Sequence, residues 1–184
     1  MSGISVIITV DNDQFYLEAI AKKLLINFDS KPDFEIIFVD NASEDLSGVV
    51  LEDLLTISNK IKIKRFENKF EICELLREGF KLASYDAVMV MGAHYHHPVD
   101  CVNEFVDKYN SGADFVYSFE TPTDNPDSIK KVVETTVLQN EFPTNISHFW
   151  LAGKKVFEKL KSNLPCENLD SLQFECVEYV NMGE

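Results

Sequence analysis

Two hydrophobic patterns alternate along the chain, and together they predict its fold. Ile4–Val10 (ISVIITV), Phe34–Val39 (FEIIFV) and Ala87–Met91 (AVMVM) are almost continuous apolar runs. Such runs predict strands that are covered on both faces, as in a parallel sheet between two layers of helices. Ile61–Phe66 (IKIKRF) alternates apolar and basic residues instead. This pattern predicts a strand near the edge of the sheet, with one face toward water.

Segments with helical periodicity separate these strands. Apolar residues recur there at intervals of three and four, which is the spacing of one face of an amphipathic helix. The predicted helices are marked by Leu17/Ile20/Ala21/Leu24/Leu25, Val49–Ser58, Cys73/Leu76/Phe80/Ala83, Val99/Val102/Val106/Tyr109 and Gly153–Leu160, and further strands are predicted at Asp114–Ser118 and Leu172–Val180. Repeated strand–helix units predict an α/β protein with a mostly parallel sheet and helices on both faces.

The length of the chain indicates the number of domains, and its charge indicates which kinds of partner it does not bind. The 184 residues suit one domain, 1–184, and carry a formal net charge of −14. That charge argues against a nucleic-acid partner or an anionic membrane surface, because both require a basic face. Four cysteines without a C-x-x-C pair, and an N-terminus without a signal-peptide pattern, favour a cytoplasmic protein. No apolar run approaches the roughly 18 residues of a membrane-spanning helix, so we expect no transmembrane segment.

The segment that follows the Ala87–Met91 strand contains three of the four histidines: His94, His96 and His97. In open α/β sheets, ligands bind at the carboxyl ends of the strands, where this segment is predicted to lie. Imidazole nitrogen is a common ligand of transition metals. The cluster is therefore a candidate site, although a single histidine in such a loop is more often a polar, partly exposed residue.

Several segments, in this order, resemble the motifs of family-2 glycosyltransferases, which have the GT-A fold. They are the opening strand Ile4–Asn12, the second strand and turn Phe38–Asp45 (V-D-D-G-S-x-D in the family), Glu67–Lys69 with Gly79-Phe80 (N-x-G … G), and Gly112–Tyr117 (G-A-D-V-V-Y). His97-Pro98 matches the H-P of the D-A-D-L-Q-H-P signature found in dolichol- and polyprenyl-phosphate sugar synthases, the members that this chain resembles most.

The resemblance implies a Rossmann-like GT-A domain that binds a nucleotide sugar as its donor. Residues 1–120 would form the nucleotide-binding half, and residues 121–184 the acceptor-side part. Thr9 and Asp11, at the end of the first strand, would line the site of the nucleotide base. Asn68 and Lys69 would contribute to the same site.

By the same resemblance, Asp40 would accept a hydrogen bond from the nucleotide base. A carboxylate suits this role because it accepts hydrogen bonds and can hold a ring N–H. The alternative is that Asp40 only caps the turn or helix that follows it, as aspartate commonly does between a strand and a helix.

The chain departs from the family at the metal site. Two carboxylates of a D-x-D motif hold Mg²⁺ or Mn²⁺ against the donor diphosphate in the family, and the cation offsets charge on the leaving group. Here these positions are Gly92 and His94, and a later Asp and Arg of the family are replaced by His148 and Trp150. We therefore consider His94, His96 and His148 as candidate ligands for Mn²⁺ or Zn²⁺, since imidazole suits Mg²⁺ poorly.

These departures leave three interpretations open. The protein is a glycosyltransferase with unusual metal ligands, or a non-catalytic pseudoenzyme that serves as a binding or assembly module with a protein partner or as a homo-oligomer. In the third, the histidines bind a metal for other chemistry on the same scaffold, because a fold does not fix a function. Since Asp40 is retained while both metal-binding carboxylates are absent, we expect weak nucleotide binding and little or no turnover.

Overall fold

A computed structural model of the chain describes residues 3–28, 33–93, 99–118, 149–162 and 174–177. These residues form one sheet with helices on both faces. The described strands are β1 (Ile4–Val10), β2 (Phe34–Asp40), β3 (Ile61–Arg65), β4 (Ala87–Gly92), β5 (Phe115–Ser118), β6 (Trp150–Ala152) and β7 (Phe174–Val177). The described helices are α1 (Leu17–Asn27), α2 (Ser47–Ile57), α3 (Ile72–Leu82), α4 (Val102–Asn110) and α5 (Lys154–Ser162), with one 3-10 turn at Val99–Cys101. No helix in these ranges is long and apolar enough to cross a membrane.

The strands lie in the order β3-β2-β1-β4-β6-β5-β7. The central strand β1 pairs in parallel with both β2 and β4, and β2 pairs in parallel with β3. This confirms the prediction that the three apolar runs are neighbouring, parallel and buried strands. It also confirms the edge position that the alternating pattern predicts for β3.

The short strand β6 was not predicted from the sequence. It lies between β4 and β5 and runs antiparallel to both, whereas the other described pairs are parallel. A strand of three residues is too short for its hydrophobic period to be recognised. Its Trp150 lies in the core, with its ring stacked 5.6 Å from Phe115 and edge-on to Phe80 at 6.4 Å.

Two apolar layers cover the sheet. Helices α1, α2 and α4 pack on one face, and α3 and α5 pack on the other. Along β1, Ile4, Val6, Ile8 and Val10 enter the first layer while Ile7 enters the second, so the strand is apolar on both sides. This is the physical reason for its unbroken apolar sequence.

Two of the four residues predicted for the buried face of α3, Leu76 and Phe80, are confirmed. The expected stripe ran through Cys73 and Ala83, but Cys73 is only half-buried and Ala83 follows the end of the helix. The residues that face the sheet are Leu75, Leu76, Gly79 and Phe80. Gly79 packs against β1 so closely that a Cβ would lie 2.7 Å from a methyl carbon of Ile7. A glycine carries no apolar side chain, so the sequence pattern does not mark this contact.

A buried carboxylate joins the strands at the end of the sheet opposite the site described below. Glu35 of β2 accepts hydrogen bonds from the Ser5 hydroxyl at 2.7 Å and the Ser84 amide at 2.6 Å, and it forms an ion pair with Lys62 at 2.7 Å. Burial by itself raises the pKa of Glu35, but its hydrogen bonds and Lys62 outweigh burial and hold the pKa below the ordinary value of 4.5.

Candidate functional site

The loop after β1 and the loop after β2 are joined by side chains that bond to the neighbouring loop's backbone. Asn12 has a left-handed backbone (φ 60°), which asparagine tolerates better than most residues. Its side-chain oxygen accepts from the amides of Glu44 at 2.8 Å and Asp45 at 3.3 Å, while its own amide donates to the Ser43 hydroxyl at 2.9 Å. Because these three hydrogen bonds run from one loop to the other, the two loops are held as one unit.

Asp45 stabilises this unit at the start of α2. Its carboxylate accepts from the Ser47 amide at 2.8 Å and the Gln14 amide at 3.2 Å. Burial slightly raises the pKa of Asp45, but the bonds from Ser47 and Gln14 outweigh it and hold the pKa below its usual 3.8. An anion here also interacts favourably with the positive end of the helix dipole.

Asp40 is the last residue of β2 and is completely buried. One carboxylate oxygen, Oδ1, accepts from the amide of Ser43 at 3.1 Å and from its hydroxyl. The other, Oδ2, lies 3.1 Å from Nε of Arg65. That contact is an ion pair without hydrogen-bond alignment, so Oδ2 accepts no hydrogen bond from the described residues. A buried oxygen with unused acceptor capacity is uncommon in folded proteins.

Arg65 covers the open side of Asp40. The two residues are register partners at the carboxyl ends of the parallel strands β2 and β3. The half-exposed guanidinium also donates to the Ser43 carbonyl at 3.2 Å. It lies directly on Gly48 of α2, where a Cβ would be only 2.1 Å from Nη1. The absence of a side chain at position 48 therefore makes room for the arginine.

An open cavity of about 770 Å³ lies beside this pair. It is lined by Ala42, Ser43, Glu44, Arg65, Phe66, Glu67, Asn68 and Lys69. Its lining contains two cationic and two anionic side chains, so their formal charges sum to zero. A cavity of this size is in the range of ordinary small-molecule sites, which is roughly 300–1,000 Å³.

The loop after β3 is attached to the other two loops. The side chain of Asn41 accepts from the Phe70 amide at 2.8 Å and donates to the Phe70 carbonyl at 3.2 Å. Lys69, in the loop after β3, forms an ion pair with Asp11, in the loop after β1. Consequently the carboxyl ends of β1, β2 and β3 carry one connected set of loops.

The residues predicted for the nucleotide site separate into two groups. Asn68 and Lys69 line the cavity, and Asp40 lies directly behind its wall. Thr9 and Asp11 do not line it: Thr9 is half-buried in β1, and Asp11 extends toward Lys69. Both lie at the same end of the sheet as the cavity, and their contact with a base stays a prediction.

Sequence reasoning did not select Arg65 or Ser43, which touch Asp40 directly. A signal was present, because Asp40 directly follows the predicted strand Phe34–Val39 and Arg65 is the next-to-last residue of the predicted strand Ile61–Phe66. What the sequence did not provide was the register that makes them partners.

The described residues do not fit a metal ion of the kind that a D-x-D motif holds. Gly92, at the first carboxylate position, is the buried last residue of β4 and offers no side-chain ligand. Within the described ranges no group of three or more His, Cys, Asp or Glu residues could hold a metal ion. The histidines His94, His96, His97 and His148 lie outside those ranges.

The sequence pattern of Glycosyl transferase family 2 matches residues 5–161, which is most of the chain. The chain therefore belongs to this family, and its sheet and helices are those of a GT-A glycosyltransferase domain.

Two curated relatives are similar to most of this chain. An uncharacterized glycosyltransferase, YkcC of Bacillus subtilis, is 23% identical over 165 residues, covering 85% of this chain and 51% of that protein. The bactoprenol glucosyl transferase of Shigella phage SfV is 24% identical over 174 residues, covering 90% of this chain and 56% of that protein. The chain thus spans about half the length of the curated relatives it matches.

Among solved structures, glucosyl-3-phosphoglycerate synthase from Mycobacterium tuberculosis has a similar fold. Its complex with UDP superposes with a TM-score of 0.66 at 15% identity, covering 100% of this chain and 73% of the synthase. The same synthase has also been solved with Mn²⁺ and UDP-glucose. At this level of identity the likeness establishes the fold alone.

Proposed function

We propose that this chain is the donor-binding domain of a family-2 glycosyltransferase, and that the base of a nucleotide sugar binds in the cavity beside Asp40. The observation that carries the proposal is Asp40 Oδ2, a buried acceptor without a hydrogen bond at the carboxyl end of a central strand. Ligands of open α/β sheets bind at this edge. The solved complexes of a GT-A protein with UDP and UDP-glucose support a nucleotide as the ligand.

The chemistry of the pair Asp40–Arg65 suggests which bases bind. A carboxylate only accepts, and a guanidinium only donates. Uracil and guanine present a ring N–H next to a carbonyl oxygen on their pairing edge, which complements this pair. Cytosine and adenine present an unprotonated ring nitrogen at the corresponding place, and Oδ2 would repel it. The half-exposed Arg65 side chain moves off Oδ2 as the base enters, and then donates to the base carbonyl.

We further propose that turnover is weak. Gly92 supplies no carboxylate at the first position of the metal motif. The cavity wall has no excess positive charge to take the place of a metal, because Arg65 and Lys69 are matched by Glu44 and Glu67. The developing charge on a nucleoside diphosphate leaving group is therefore not offset by the described residues. The donor sugar would bind without efficient transfer.

The base preference gives the direct test. UDP or GDP, at about 100 times its dissociation constant, is expected to stabilise the folded chain by about 2.7 kcal/mol and to raise the melting temperature by roughly 5–10 °C. CDP and ADP carry the same diphosphate and serve as matched controls, with little expected shift. Differential scanning fluorimetry measures all four. Equal shifts for the four nucleotides would indicate phosphate binding only, and no shift for any would contradict the proposal.

The histidine hypothesis is tested separately by calorimetry with Zn²⁺ and Mn²⁺. If His94, His96 and His148 bind one ion, His94→Ala is expected to weaken that binding by at least about tenfold, as loss of a ligand does in metal sites. His97→Ala removes a neighbouring histidine outside the proposed ligand set and is the control. Equal, weak heats for the wild type and both variants would indicate that these histidines are ordinary loop residues.

A further inference from the structure

Large apolar side chains are exposed beside the cavity, on the outer surface of the joined loops. Phe15 of the β1–α1 loop is 83% exposed, Leu46 at the start of α2 is 62% exposed, and Val49 one turn later is 56% exposed. We call these three residues the rim patch. A single exposed apolar residue is common on protein surfaces, but a contiguous group of them marks an interaction site.

Hydrogen bonds between the loops make the rim patch contiguous. The Leu46 amide donates to the side-chain oxygen of Gln14 at 2.8 Å, and the Gln14 amide donates to Asp45 at 3.2 Å. Phe15 directly follows Gln14 in the sequence, so these bonds hold the backbones that carry Phe15 and Leu46 together. Val49 is three residues after Leu46 and therefore shares its face of the helix.

The backbone that carries the rim patch is fixed before any partner binds. Besides the bonds of Gln14, the Asp13 amide donates to the Ser47 hydroxyl at 3.0 Å, and Asn12 holds the amides of Glu44 and Asp45. A preorganised surface loses little conformational entropy when a partner binds. Phe15 is therefore exposed on a loop whose backbone is held in place by hydrogen bonds.

The surroundings of the rim patch are acidic. Residues 1–21 and 33–59 contain no lysine, arginine or histidine. Exposed acids of these segments, Glu44, Glu52 and Asp53, flank the apolar side chains along α2. The guanidinium of Arg65 lies against Gly48 of the same helix, but it is paired with the buried Asp40. The patch is therefore an apolar centre with a negative rim.

We propose that the rim patch docks a basic, amphipathic segment of another protein. Apolar side chains of that segment would cover Phe15 and Leu46, and its lysines or arginines would face the acids of α2, since interfaces pair opposite potentials. The same negative rim disfavours an anionic membrane, and a second copy of this chain carries the same −14 charge. The surface lies outside the base-binding cavity, so the proposal does not depend on nucleotide binding.

The test uses a designed helical peptide of leucine and lysine in amphipathic order, about 15 residues long, because shorter isolated helices are marginal in water. Fluorescence anisotropy measures its affinity for the whole chain. The expected result is saturable binding that weakens at least tenfold in Phe15→Ser/Leu46→Ser and weakens with added salt. Ile26→Ser is the matched control, because Ile26 is 73% exposed at the far end of α1 and lies away from the acidic rim. A scrambled peptide of the same composition is the control for amphipathic order.

Four outcomes would overturn the proposal. Equal affinity for the ordered and scrambled peptides would indicate charge attraction alone. Equal loss in Ile26→Ser and in the double variant would indicate that binding is not at the rim patch. Absence of saturable binding would also contradict it. Dimerisation of the chain in sedimentation equilibrium that Phe15→Ser abolishes would assign the patch to a second copy instead.

Discussion

Replacing Lys62 with methionine is expected to lower the free energy of unfolding by about 2–3 kcal/mol, which is a drop in melting temperature of roughly 4–12 °C. The reason is that Glu35, only 8% exposed, would keep its hydrogen bonds from Ser5 and Ser84 but lose its cation. Removing one partner of a fully buried pair costs about 3–5 kcal/mol. The lower figure applies here because Lys62 is 39% exposed and water screens part of the attraction. Thermal and urea unfolding measure the change.

The ion pair between Glu35 and Lys62 also predicts how the free energy of unfolding depends on pH. The pKa of Glu35 is lower in the folded chain than its ordinary value of 4.5, so the unfolded chain binds the proton more readily. Its contribution to stability is therefore complete above the unfolded pKa and is lost as the pH falls through the folded pKa. In Lys62→Met, the cation no longer opposes the effect of burial, so the pKa of Glu35 in the folded chain rises. The loss of stability on acidification should therefore begin at a higher pH than in the wild type.

Lys64→Met is the matched control for this experiment. Lys64 lies two residues further along β3, on the same edge strand, and its ammonium group lies 5.5 Å from the centre of the Phe66 ring. A cation–π contact at a half-exposed site is worth about 0.5–1 kcal/mol. Similar destabilisation by both substitutions, or an unchanged acid limb in Lys62→Met, would mean that the ion pair with Glu35 does not stabilise the sheet.

The parallel centre of the sheet could be predicted because its strands are buried on both faces. Consecutive residues of each strand must therefore be apolar, and this is visible in the sequence. Ile7 and Ile8 face opposite helical layers, so both had to be apolar, and the same holds along β2 and β4. The strand β6 could not be predicted, because its position depends on long-range pairing with β4 and β5 rather than on a period of its own. The close packing at Gly79 was also invisible, since its role is to lack a side chain.

The site was predictable in position and only partly in composition. Asp40, Asn68 and Lys69 were selected through the resemblance to family-2 glycosyltransferases. Asn68 and Lys69 line the cavity, and Asp40 lies behind its wall. Arg65 was missed because basic residues in β3 were attributed to an edge strand facing water. That explanation accounts for Lys64, but Arg65 is used to cover a buried carboxylate on the neighbouring strand.

Replacing Asp40 with asparagine is expected to weaken binding of UDP or GDP by about 10- to 100-fold, since a hydrogen bond to a charged group is worth about 1.5–3 kcal/mol. Asparagine has nearly the same shape and keeps one oxygen to accept from Ser43. Its amide nitrogen would then occupy the place of Oδ2 and present a donor to the ring N–H of the base. Isothermal calorimetry well below the melting temperature separates this loss of affinity from any loss of stability.

Two companion variants decide how the loss in Asp40→Asn is interpreted. Asp45→Asn removes the same charge from the adjacent loop, where the carboxylate bonds to Ser47 and Gln14 and does not line the cavity, so it should change affinity less than about threefold by a long-range effect screened by salt. Arg65→Gln uncovers Oδ2 and keeps a donor for the base carbonyl. If Asp40 is the base acceptor, Arg65→Gln retains the preference for UDP or GDP over CDP, whereas Asp40→Asn loses it. A preference that survives in Asp40→Asn would show that the base is recognised elsewhere. Oδ2 of Asp40 would then serve only as the buried partner of the Arg65 guanidinium.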